Sequence, residues 1–141
     1  MIQLPRRPLP LIAATLLAIL GLSCDRYHRG PTEVVVCPSL DGGWEEVANN
    51  PCLGTRRSAL LLRQTGCTVV SSSAGLQADV TVALSSPDRA SVNLTFFGCS
   101  GTARGTATVT DHRIDASFSG TITGSDPHCC GNVRGTFLWV R

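Results

Sequence analysis

The segment Leu76–Phe97, LQADVTVALSSPDRASVNLTFF, decides the fold. Leu76, Ala78, Val80, Val82 and Leu84 alternate with Gln77, Asp79, Thr81 and Ala83. After the turn residues Ser85–Asp88, Val92, Leu94 and Phe96 alternate with Ser91, Asn93 and Thr95. A period of two puts every second side chain on one face, so each run reads as a strand with one buried side. Pro87 and Asp88 suit a tight turn, and a tight turn joins antiparallel neighbours.

The same pattern extends both ways. C-terminally, Ala103, Gly105, Ala107 and Val109 oppose Thr102, Arg104, Thr106, Thr108 and Thr110 over 102–110. Asp111-His112 turns the chain into 113–122, with Ile114, Ala116 and Phe118 inward. The loop 124–131 leads to a strand over 132–140, with Val133, Phe137 and Trp139 on one face. N-terminally, strands are predicted near 43–48, 58–64 and 67–72. No stretch of the body carries a capped apolar stripe of helical period. The predicted fold is all-β, an eight-stranded antiparallel up-and-down barrel, because closure removes the exposed edges of a meander. A two-sheet β-sandwich is the alternative.

Composition agrees. Ser and Thr number 27 and Gly 14 in 141 residues, and Lys is absent. Without Arg6 and Arg7, ten Arg face ten acidic residues, so the remaining chain is near neutral. That excludes the basic surface a nucleic-acid binder needs. Seven Cys in so short a chain point to an oxidising compartment.

The first residues form a separate unit. Arg6 and Arg7 precede the apolar run LIAATLLAILGL at 11–22, followed by Ser23-Cys24. Twelve residues are too few to span a bilayer and fit the core of a signal peptide. Leu20-Gly21-Leu22-Ser23-Cys24 resembles a bacterial lipobox. That resemblance implies cleavage before Cys24, a diacylglyceryl group on its thiol and an acyl (palmitate-type) chain on its new amine. Gly21 stands where Leu is usual. The implied organisation is a signal peptide over 1–23, a lipidated Cys24 with a tether over 24–36, and a disulfide-stapled barrel over 37–141. Two or more acyl chains hold a protein on a membrane without spanning it. Asp25 resembles an inner-membrane retention signal of some bacteria, and the leaflet stays open.

Gly42-Gly43-Trp44 before the first strand, with Arg141 after the last, resembles the calycin superfamily of lipocalin- and avidin-like barrels. The resemblance implies that Trp44 and Arg141 form a cation–π pair closing one barrel end. A buried Trp that merely packs is the competing reading.

Six body cysteines allow fifteen pairings. In a meander, successive loops alternate between two ends. Cys37 and Cys67 then share one end. Cys52, Cys99, Cys129 and Cys130 share the other. Bridged Cα atoms must lie within about 7 Å, which selects Cys37–Cys67. Adjacent Cys129 and Cys130 should each reach a different neighbour. Cys52–Cys130 with Cys99–Cys129 is the favoured arrangement, and its converse stays open.

Catalytic patterns are missing. There is no nucleophile elbow, zinc-protease helix or phosphate loop. Glu45 and Glu46 would point to opposite faces of a strand and share no substrate. His28 and His112 read as solvated, and Arg56-Arg57 as a solvated loop pair. His128, Cys129 and Cys130 lack zinc-ligand spacing, so no metal or cofactor is expected. The expected function is a membrane-anchored, non-enzymatic module of the bacterial cell envelope, facing periplasm or exterior. Its partner is a small apolar ligand held in the barrel or another envelope protein, as in protease inhibition.

Overall fold

The protein is described here by a computed structural model covering residues 35–141. The predicted leader 1–23, Cys24 and residues 25–34 of the tether lie outside the described residues. Eight strands follow in order. They are β1 (Gly42–Asn50), β2 (Gly54–Thr65), β3 (Thr68–Ser73), β4 (Ala78–Ser86), β5 (Arg89–Phe96), β6 (Ala103–Thr110), β7 (Arg113–Thr123) and β8 (Cys130–Val140). Each pairs antiparallel with the next, and β8 returns to β1, giving a closed barrel. The described residues contain no helix. The sandwich alternative is thereby replaced by the up-and-down barrel.

The alternation that marks the strands also fills the interior. Val80, Val82, Val92, Leu94, Phe96, Val109, Ile114, Phe137 and Trp139 are buried, while the intervening residues face out. Small inward residues make room for large ones. Phe118 pairs with Gly105 on one side and Gly135 on the other. Its ring lies so close to Gly135 that an added Cβ would sit 2.5 Å from it. Covering a strand glycine with an aromatic ring shields backbone and fixes register. Phe96, Phe118, Phe137 and Trp139 then form a chain of tilted rings, with centroids 6.2, 6.5 and 4.6 Å apart. Ala103, Gly105, Ala107 and Ala116 thus accommodate aromatic packing.

Some strand limits differ from those predicted. The strand predicted over 58–64 begins at Gly54, so Arg56 and Arg57 belong to β2 and not to a loop. Both still point to solvent. The strand predicted over 76–84 begins at Ala78, because Gln77 takes a positive φ of 58°. Leu76 is nevertheless fully buried, since the bend turns it under the barrel. The fifth strand begins at Arg89, two residues early, and a register shift at Leu84–Ser86 absorbs part of the predicted turn.

Both ends are capped. At one, Leu40 is fully buried beneath the first strand's entry. At the other, Asn50 is fully buried and donates to the Leu76 carbonyl at 3.0 Å. Its Oδ1 accepts from the Cys52 amide at 2.9 Å, tying two loops across the floor.

Two glycines test this packing. An added Cβ at Gly105 would meet the Ser117 carbonyl at 1.8 Å, whereas at Gly43 it meets nothing within 4 Å. Gly105→Ala should destabilise by about 1–3 kcal/mol through overpacking. Gly43→Ala should be neutral or stabilise by about 0.4–1 kcal/mol. Urea unfolding of both variants checks the contrast, and equal effects would contradict the packing described.

Candidate functional site

One strand pair is unlike the others. β2 pairs with the whole of β1 from Gly54 to Leu62, but with β3 only at Arg63, Gln64 and Thr65. Below Val70 the backbone ladder between β2 and β3 stops. Side chains take over. The Ser71 hydroxyl donates to the Leu61 carbonyl at 3.0 Å. Further down, the carboxylate of Glu46 reaches across.

Glu46 is 1% exposed and is the only buried charged side chain among the described residues. It lies on the inward face of β1, with Trp44, Ala48 and Asn50. Its cross-strand neighbours are Ser58 on β2 and Trp139 on β8. Both donate to it. Ser58 Oγ lies 2.7 Å from Oε2, and Trp139 Nε1 lies 2.9 Å from Oε1. The third donor, Ser73 Oγ, belongs to β3 and lies 2.6 and 2.7 Å from the two oxygens. Ser73 in turn accepts from the Leu76 amide at 2.9 Å. A buried carboxylate is tolerable only when its oxygens are satisfied, and hydrogen bonds to a charged acceptor are strong. Gly75 leaves the required room, because a Cβ there would meet Glu46 Oε2 at 2.8 Å. The cluster therefore ties β3 to β1 through side chains alone, and adds side-chain bonds to the backbone ladders that join β2 and β8 to β1. Glu45 on the opposite face is exposed, so the two carboxylates do not converge.

The upper end unites the residues singled out by the calycin resemblance. The guanidinium carbon of Arg141 lies 4.8 Å from the Trp44 ring centroid. Trp44 is buried, and its Nε1 donates to the Leu40 carbonyl at 2.8 Å. Arg141 also donates to the carbonyls of Ser39 at 2.6 Å, Asp41 at 3.2 Å and Asp111 at 2.9 Å. One guanidinium thus fastens the entry segment and the β6–β7 turn over the indole. Gln64 completes the cap. It accepts from the Leu40 amide and donates to the Pro38 carbonyl, at 2.6 and 2.9 Å.

The cysteines lie at the two ends. Cys37 is bonded to Cys67 at the Trp44 end, with Cα atoms 5.5 Å apart. Cys52 is bonded to Cys130 and Cys99 to Cys129 at the far end. The vicinal pair thereby clamps the β1–β2 and β5–β6 loops to the β7–β8 loop. His128 stands beside this clamp, its ring nitrogen and the Cys99 and Cys129 sulfurs all within 4.8 Å of one another. Both sulfurs are committed to their bond, and the His128 ring meets the Phe97 carbonyl. That set does not fit a metal ion. His112 is exposed in the β6–β7 turn, and its carbonyl accepts from the Arg141 amide at 3.2 Å. His28 lies outside the described residues.

No family model, curated protein or solved structure matches this chain.

Sequence reasoning missed the Glu46 cluster and Gln64. Strand alternation from Trp44 carried the signal for Glu46, because it places residues 44, 46, 48 and 50 on one face. Glu46→Gln should destabilise the barrel by about 1–3 kcal/mol, since an amide cannot accept from all three donors. Glu46→Leu should cost more, by leaving every donor unpaired. Denaturant unfolding ranks the two. A stable Glu46→Leu variant would contradict the bracket.

Proposed function

We propose that this protein is a lipid-anchored lipoprotein of the bacterial cell envelope whose calycin-like barrel serves as an interaction module without catalysis. The observation that carries this reading is the solid interior. Rings, aliphatic side chains and the Glu46 cluster fill the barrel, and both ends are capped. Binding is then left to the outer surface, which favours an envelope protein over a small apolar ligand. The surface also favours a body in water. Arg104, Thr106, Thr108 and Thr110 face out along β6, whereas a barrel crossing a bilayer turns an apolar band outward.

The bridges support the anchor. They use all six cysteines of the described residues and leave Cys24, in its lipobox-like setting, as the seventh. A charged, proline-containing tether over 25–36 would then let the barrel reach partners from a membrane surface. Protease inhibition is one form of such binding, and a rigid, disulfide-clamped rim suits it.

Intact-mass analysis of protein extracted from membranes tests the reading. The expected species begins at Cys24, carries diacylglycerol and an amide-linked acyl chain, and holds three disulfides. Cys24→Ala should move the protein out of the membrane fraction. An unmodified amino terminus in the wild-type protein would overturn the anchor.

A further inference from the structure

The free side of β2 offers more than a gap. Peptide groups along a strand point alternately to its two neighbours. The Gln64 amide faces the β1 side, where Asp41 Oδ1 accepts it at 2.8 Å. The Leu61 carbonyl faces the β3 side, where Ser71 reaches it. By the same alternation, the peptide groups of Arg57 and Ala59 face the seam. No described strand pairs with them there. An unpaired edge is a template for another strand.

Its side chains define the visitor. β2 carries Arg56, Arg57 and Arg63 and no acidic residue. Among the described residues the one ion pair is Arg113–Asp115, so these three arginines have no carboxylate partner there. Leu61 and Val70 are 55% and 45% exposed and lie beside one another on the outer face. Together with Arg63, they line a surface groove continued by Ser72, Asp79 and Thr81. Ser72 donates to Asp79 on the groove's far wall. Arg57 on the open stretch and Arg63 above it suit acidic side chains gathered on the outward face of a neighbouring strand. A second copy of this chain would bring like charges together.

We propose that the seam side of β2, from Arg57 to Leu61, receives an extended acidic segment of a partner protein as an added strand. The idea rests on the interaction-module reading and gives that module its partner chemistry. β3 ends at Ser73, so a strand added beside Arg57 and Ala59 displaces no ladder bond.

The test titrates the full chain, in non-ionic detergent, into a labelled peptide of alternating Glu and Val, read by fluorescence anisotropy. Binding is expected, and a Lys–Val peptide should not bind. Methylating alternate amides of the Glu–Val peptide should abolish binding, since it removes backbone donors and keeps every charge. Arg57→Glu should weaken binding by about tenfold or more through like-charge contact. Ala59→Pro removes a seam-side donor without touching the β1 ladder and should also weaken it. Equal binding of the methylated peptide would overturn strand addition, because charge alone would then suffice. Capture of anionic vesicles without peptide binding, or dimerisation through β2, would overturn it too. The peptide measurement does not depend on the anchor. Its failure with Cys24 acylated removes this inference alone, and peptide binding by an unacylated chain removes only the envelope reading.

Discussion

The carboxylate of Glu46 is the constraint on which the barrel's closure depends. Seven of the eight strand junctions are backbone ladders of five or more residues, and those need no special chemistry. The β2–β3 junction is zipped for only three residues beside its hairpin. From there the two strands are held by the Ser71 hydroxyl on the Leu61 carbonyl and by one acid accepting from Ser58, Ser73 and Trp139. Removing a charge from water is costly, and three donors offset that cost only while all stay in place. The same cluster that closes the seam therefore fixes the positions of β2, β3 and β8.

A filled interior follows from how large and small residues are distributed. Gly105 and Gly135 flank Phe118, and alanines line β6 and part of β7. The aromatic rings occupy the volume that these small residues release. A barrel of eight strands is just wide enough for its own side chains or one small ligand. Here the side chains win. Leu40 and Leu76 are buried at the ends, and polar side chains complete the caps there. Arg141, Gln64 and Asn50 satisfy backbone groups, while three disulfides restrain the loops they join. Each such bridge stabilises by about 2–4 kcal/mol, mainly by limiting the unfolded chain.

Much of this was legible in the residues. Alternation in Leu76–Phe97 and in 102–122 specified strands, their inward faces and the meander. Alternating loop ends then sorted the cysteines. Trp44 and Arg141 meet because the first and last strands are neighbours in a closed meander. The Glu46 cluster was less legible. Its position on the inward face follows from Trp44, but a glutamate reads as solvated until Ser58, Ser73 and Trp139 are known to surround it. Those partners come from three other strands, and no local pattern links them. The open seam was hidden for a related reason. Ser58, Leu60 and Leu62 alternate as they would in a fully paired strand, because the inward face is set by the core and not by the neighbouring edge. Arg56 and Arg57 misled in the same way, since adjacent exposed charges read as a loop until the ladder with β1 is known.

Amide hydrogen exchange along β2 in the folded full-length protein tests the side-chain closure most directly. The Ser58, Leu60 and Leu62 amides, which face β1, should be protected. The Arg57, Ala59 and Leu61 amides, which face the seam, should exchange far faster. Uniform protection of residues 57–62 would mean that β2 and β3 are joined by a continuous ladder, and Glu46 would then be an ornament of the core and not its clasp.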